Sequence, residues 1–219
     1  MKRSTKTPEP QEFDDLVFED QSVADALRAF AENRRHGHLL LHGALGTGKS
    51  TAARVIRQQR YPDKETADLF APVIGCDMNE DINEQLALIE RGWAIHRLTG
   101  ADNPIAIIDE VDQLGRVQQN KLRSLMDKAV AHKLGYFIFT TNHVSNIDPA
   151  LVHRCECFEV RLLTPSALKR RCHQLLRQEG IKMPDKQLVG LLDTTDGSWR
   201  ETRRLLDRII AANALPMAA

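Results

Sequence analysis

Charge of neither sign dominates this chain. Across 219 residues, 30 Lys and Arg balance 30 Asp and Glu, and the formal net charge is zero. That excludes a global electrostatic pull toward nucleic acid, so any contact with a phosphate backbone must come from a local patch. Cysteine is sparse and scattered: among Cys76, Cys155, Cys157 and Cys172 only the middle two are close, and a C-x-C with no second pair is a poor zinc pattern. Free thiols in a reducing cytosol are the expectation. Long apolar runs are missing too. None approaches the ~18 residues of a membrane span, and the basic start MKRSTK is followed by no apolar signal core. The reading is a cytoplasmic protein with no membrane partner and no internal repeat.

What is present is a strong alternation. Hydrophobic residues make up 42% of the chain, enough for one good core plus a small second domain. Residues 1–12, polar with two prolines, read as a disordered tail. Val23, Ala26, Leu27 and Phe30 recur at helical spacing, with Gly37 as the expected stop. Apolar strands are predicted at HLLLH, PVIGCDM, PIAIIDE, GYFIFTTN and CFEVRLL, separated by helices, one carrying Leu122, Leu125, Met126 and Ala129 on one face. This is an α/β core with a five-stranded parallel sheet covered by helices on both faces, spanning residues 13–162. From residue 163 to 219 the pattern is helical only. Thr164-Pro165 caps one helix, Asp185 is the expected cap of a second, and Gly197-Ser198 opens a third, giving a three-helix lid.

The chemistry sits at strand ends. HGALGTGKST satisfies G-x-x-x-x-G-K-[ST], between a strand and a helix. Gly43, Gly46, Thr47, Gly48 and Thr51 belong to a loop whose backbone N–H groups can turn inward around phosphates. In such a loop Lys49 reaches the β- and γ-phosphates and Ser50 holds Mg²⁺. Asp109 and Glu110 end the third strand, where carboxylates face the ligand crevice; Asp109 is the expected Mg²⁺ partner and Glu110 the group that polarises water. Asn142 ends the fourth strand, placed to orient that water. Arg200 lies early in the last helix, near the phosphate site; Arg154, beyond the fourth strand, is ambiguous on its own. His36, His38 and His42 offer only H-x-H beside a loop, too little for a metal site.

Taken in order, these segments resemble the AAA+ ATPases, and within them the clamp-loader group, replication factor C small subunits and their bacterial and phage relatives. The similarity runs from Phe13 to Ile210. GALGTGKST is similar to the Walker A loop with Ala44-Leu45 in place of Pro-Pro, and IIDEVDQL to Walker B. QNKLRSLMD follows the family's Q-N-x-L-R pattern, with Ser124 where a second Arg is usual. HRCECFEV resembles an S-R-C segment and GSWR a sensor 2 motif.

The resemblance implies ATP and Mg²⁺ as cofactors, Val17 and Phe18 near the adenine, Asn142 as sensor 1, Arg200 as sensor 2, and Arg154 as an arginine finger acting on a neighbouring subunit's ATP. It implies DNA, related AAA+ subunits and a protein client as partners. A clamp-loader ATPase is the first reading. A helicase loader or transposition-type DNA regulator is the second, because the expected reading of residues 163–219 is a lid without the family's collar, and an ATP-switched binding module the third. Arg116, Lys121 and Arg123, on the helix after Walker B, are the candidates for DNA phosphate contact, although Asp127 and Lys128 mix the charge of that helix. The lid arginines Arg170, Arg171, Arg177, Arg203, Arg204 and Arg208 form a second basic group.

Overall fold

The computed structural model describes residues 7–76, 82–98 and 103–214. Nine α-helices and five strands are described: α1 Gln21–Ala31, β1 His38–His42, α2 Lys49–Arg60, α3 Lys64–Phe70, β2 Val73–Gly75, α4 Ile82–Leu98, β3 Ile105–Asp109, α5 Arg116–Ala131, β4 Tyr136–Thr141, α6 Pro149–Val152, β5 Cys155–Glu159, α7 Pro165–Gln178, α8 Asp185–Leu192 and α9 Trp199–Ala214. The strands form one parallel sheet in the order β2-β3-β4-β1-β5, as the alternation of strands and helices predicts.

Period-two alternation splits each strand between two cores. Leu40, Ala106, Ile108, Phe137 and Phe139 face α4 and α5 with Trp93, Leu122 and Met126. Leu39, Leu41, Ile105, Ile107 and Ile138 face α1 and α2 with Leu27, Phe30, Ala53 and Ile56. Both faces are buried, which is why the strands read as unbroken apolar runs. Each fully buried Leu, Ile or Phe contributes roughly 1.5–3 kcal/mol, so these layers hold the strand ends where the chemistry lies. A third cluster, Leu168, Leu175, Leu176, Leu188, Leu192 and Leu206 among them, is built from α7, α8 and α9.

Several boundaries differ from expectation, each for a physical reason. α1 stops at Ala31, well before Gly37, because Asn33 turns left-handed (φ 57°) and the Arg34 and Arg35 amides close back on the Ala29 carbonyl. α3 lies where the sequence predicts no helix; its Asp63 side chain accepts from Thr66 N, which starts the helix. β5 begins at Cys155, two residues early, since pairing with β1 runs from His38↔Cys155 to His42↔Glu159. Asp185 is no cap. It opens α8 and instead accepts from Lys169 and His173 at 2.8 and 2.9 Å.

The disordered-tail expectation also needs correction over residues 7–12. Thr7 is buried against α9, where its backbone N–H and its hydroxyl both donate to Asp207 Oδ1 at 2.6 and 2.9 Å. Arg203 donates to the Thr7 carbonyl at 3.1 Å. These partners lie about two hundred residues apart in sequence, so no local pattern announces them. The first six residues of the expected tail, Asp77 and Met78 of the expected second strand, and the last five residues of the expected lid lie outside the described residues.

Candidate functional site

The site begins where β1 runs out. Gly43 takes φ 140°, and a Cβ there would stand 2.3 Å from the Val160 carbonyl oxygen, so only glycine lets the chain leave the sheet beside β5. Gly46 (φ 80°) and Gly48 (φ 100°) complete the left-handed turns, and α2 starts at Lys49 with its N-terminus open to the loop. Thr47 Oγ1 donates to the Ala44 carbonyl at 3.1 Å and ties the loop across itself.

Lys49 is nearly buried, and its ammonium donates to the Gly43 and Ala44 carbonyls at 2.9 and 2.7 Å. Burial pulls its pKa down to about 8, against the opposing pull of Asp109. Burial lowers the neighbouring His42 as well. Ser50 Oγ donates to Asp109 Oδ1 at 2.6 Å, across 59 residues of sequence. Thr140 Oγ1 donates to the same carboxylate oxygen and accepts from the Glu110 backbone N–H at 3.0 Å. Glu110 is itself left-handed (φ 58°, ψ 49°), a conformation that costs roughly 1–2 kcal/mol in a residue with a Cβ.

A cleft of about 280 Å³ gathers these groups. Gly46, Gly48, Lys49, Ser50 and Thr51 line one side, Glu110 and Asn142 the floor, and Trp199, Arg200 and Arg203 of the lid the other. Lid and loop touch directly: the Arg200 N–H donates to the Gly46 carbonyl at 3.2 Å. Val17 and Phe18 line a second, smaller cavity of about 20 Å³ with Thr47, Gly48, Thr51 and Trp199. That is room for about one water molecule. Gly48, Thr51 and Trp199 border both cavities, so the two lie side by side.

Arg154 stands apart. It does not line the cleft; its guanidinium instead grips Asp127 of α5 at 2.7 and 3.0 Å and donates to the Ala150 carbonyl. The three DNA candidates lie on α5 away from the cleft lining. Arg116 is exposed, Lys121 donates to Asn83 at 2.8 Å, and Arg123 is 3.8 Å from Asp148. The basic lid group is partly structural. Arg171 is buried and paired with Asp15 at 2.6 Å, Arg203 holds Thr7, and Arg204 pairs with Glu201, which leaves Arg170, Arg177 and Arg208 exposed.

Two participants escape the sequence reading, and a third, Gln119, belongs to the QNKLR segment without its contacts being legible there. Thr140 and Thr141 looked like ordinary strand residues, yet Thr141 Oγ1 donates to Asp112 at 2.7 Å just as Thr140 holds Asp109. Gln119, buried in α5, donates to the Leu114 and Asn146 carbonyls and accepts from Asp148 N. No cluster of three or more metal-ligating side chains occurs among the described residues, and His38 is a buried core histidine whose pKa burial lowers to about 4.

A glycine loop capping a helix, a hydroxyl–carboxylate pair behind it, and a helical lid leaning on the loop define a P-loop nucleotide-binding protein. The chain belongs to the ATPase family associated with various cellular activities (AAA), whose model matches residues 39–166. It is similar to replication factor C subunit 3 of Blastobotrys adeninivorans, 26% identical over 198 residues, and to the replication factor C small subunit of Picrophilus torridus, 29% identical over 216. These alignments cover 90% and 94% of this chain but 57% and 63% of the two relatives, so the chain spans about three fifths of their length. In fold it is similar to the RuvB Holliday junction branch migration motor of Thermotoga maritima (TM-score 0.65, 17% identity, 93% of this chain and 64% of that one). Domain III of the same organism's replication initiation protein DnaA is also similar (TM-score 0.62, 17% identity, 93% and 88% covered). No described helix is long and apolar enough to cross a membrane.

Proposed function

We propose that this chain hydrolyses ATP as a clamp-loader-type subunit that assembles with related AAA+ subunits on DNA and acts on a protein client, a sliding clamp. The observation that carries the ATPase part is the convergence of Lys49, Ser50, Glu110, Asn142 and Arg200 on one cleft, with Asp109 hydrogen-bonded to Ser50 behind it. The likeness to replication factor C subunits across most of the chain supports the DNA part.

In this reading the loop amides and the α2 N-terminus take the phosphates, and Lys49 leaves the Gly43 and Ala44 carbonyls to meet the β- and γ-phosphates. The Ser50 hydroxyl and Asp109 carboxylate, oxygen donors 2.6 Å apart, fit a hard divalent cation and would hold Mg²⁺. When bound, Mg²⁺ supplies charge neutralisation at the phosphate oxygens. Glu110 polarises the attacking water, Asn142 orients it, and Arg200 binds the γ-phosphate from the lid. Val17 and Phe18 border the base. Arg154 serves the neighbouring subunit, where a finger is worth ~10³-fold or more in turnover. Exposed Arg116, and Lys121 and Arg123 beside it, would meet DNA phosphates.

ATP turnover of the purified chain, alone and with single-stranded, duplex or primer–template DNA, tests the proposal. Preferential stimulation by primer–template supports clamp-loader work. Equal stimulation by every DNA form points instead to a helicase loader or transposition regulator. Turnover that no DNA changes rejects the DNA role.

A further inference from the structure

We propose that Thr140 is a positioning residue whose single hydroxyl sets both acids of the site at once; this rests on the ATPase reading above. A threonine hydroxyl has one proton to donate and lone pairs with which to accept. Thr140 uses both on the same short segment, donating to Asp109 Oδ1 and accepting from the Glu110 N–H at 3.0 Å.

The first bond fixes the rotation of a carboxylate. Asp109 Oδ1 also receives the Ser50 hydroxyl at 2.6 Å, so the oxygen presented to Ser50 is the one that Thr140 orients. The second bond fixes a backbone. Glu110 lies at φ 58°, ψ 49°, where few residues other than glycine rest without outside support. Held there, its side chain lines the cleft. A return to negative φ rotates the Cα–Cβ bond and carries the carboxylate elsewhere.

Thr140 borders the cleft, but its hydroxyl is already committed to Asp109 and Glu110. Thr140 is 1% exposed, in a strand paired on one side with β1 (Leu41↔Thr140) and on the other with β3. Thr141 repeats the device one residue on: it donates to Asp112 at 2.7 Å and accepts from His143 N at 2.9 Å. The acidic turn is therefore braced at two points by consecutive hydroxyls of β4. Thr140 acts through Asp109 and Glu110, a role separate from that of Asn142, whose amide is proposed to meet the reacting water.

The test compares Thr140→Val, which keeps the shape and removes the hydroxyl, with Thr140→Ser, which keeps the hydroxyl and removes the methyl. For Thr140→Val, kcat should fall on the order of 100-fold while KM for ATP changes by less than about threefold. Thr140→Ser should recover to within about fivefold of the parent. A crystal structure of Thr140→Val should show Glu110 outside the left-handed region. An unchanged kcat in Thr140→Val, equal losses in the valine and serine variants, or a Glu110 that stays left-handed in Thr140→Val would each overturn the proposal. If the parent chain shows neither turnover nor ATP binding, the ATPase reading falls, and the Glu110 backbone in Thr140→Val still decides this one.

Discussion

Arg154 holds Asp127 through two hydrogen bonds of 2.7 and 3.0 Å and lines no part of the cleft in its own chain. The ion pair is exposed and holds the Arg154 pKa up, chiefly through the Asp127 hydrogen bond, so the guanidinium remains a full cation. A surface arginine outside its own cleft stands where the finger proposed above would have to stand, and reaching a neighbour's ATP would require it to leave Asp127.

That arrangement predicts complementation. Arg154→Ala and Glu110→Gln should each show little turnover alone while still binding ATP. Mixed, they should regain activity, since the first offers an intact cleft and the second an intact arginine. Arg154→Ala with undiminished turnover, or a mixture no better than its components, would place the arginine outside catalysis.

Lys49 predicts a proton signature. Its pKa of about 8 reflects burial, and phosphate oxygens would restore the charged form. ATP binding near pH 8 should therefore take up protons, and the uptake should vanish toward pH 6.5, where Lys49 is already charged. Calorimetry in buffers of different ionisation enthalpy measures this; pH-independent uptake would contradict it. The stability sign follows too. A lysine depressed in the folded state binds fewer protons there than in the unfolded chain between about pH 8 and 10.5, so its cost is fully present below pH 8 and is relieved as pH rises. Lys49→Met should raise Tm at pH 7 and abolish ATP binding, with the Tm gain shrinking above pH 8.

Gly43→Ala should destabilise the fold. The added carbon meets the Val160 carbonyl at 2.3 Å in a backbone at φ 140°, and a loss of roughly 2–3 kcal/mol is expected in urea unfolding. A loss under about 0.5 kcal/mol, the usual range for an unremarkable surface position, would mean that the β1–β5 exit relaxes easily.

Asp207→Ala should release the N-terminal segment. It removes the carboxylate acceptor for both Thr7 donors, bonds of a kind that contribute roughly 1.5–3 kcal/mol each when the acceptor is charged. Faster hydrogen exchange at Thr7 with little change at β1 is the expected pattern. Uniform acceleration across the chain would instead mark Asp207 as part of the global core.

The sheet and most of the site were legible because the relevant signals are local. HLLLH and IAIID are apolar strands buried on both faces, and the glycine loop, the acids and Asn142 follow directly at strand ends. What stayed hidden depends on pairing over distance. Thr140 and Thr141 suit any strand by propensity, and only the neighbouring β3 turns their hydroxyls into braces. The Arg171–Asp15 and Thr7–Asp207 contacts join the start of the chain to the lid, and polar composition alone reads that start as loose. Asp185 fits the cap pattern, but Pro184 occupies the cap position and frees the carboxylate for Lys169 and His173.

The strand order has one further consequence. β1, which delivers the phosphate loop, and β3, which delivers the acids, are not neighbours; β4 lies between them. With strands about 4.8 Å apart, the backbones of β1 and β3 are separated by roughly 10 Å, and the end of β4 fills the space beneath the direct Ser50–Asp109 contact. Insertion or deletion of a single residue in β4 would shift Thr140, Thr141 and Asn142 together and turn each to the opposite face of the sheet. The same strand can therefore vary in its buried side chains but not in its length, and a family of such chains should tolerate indels in the edge strand β2 sooner than here.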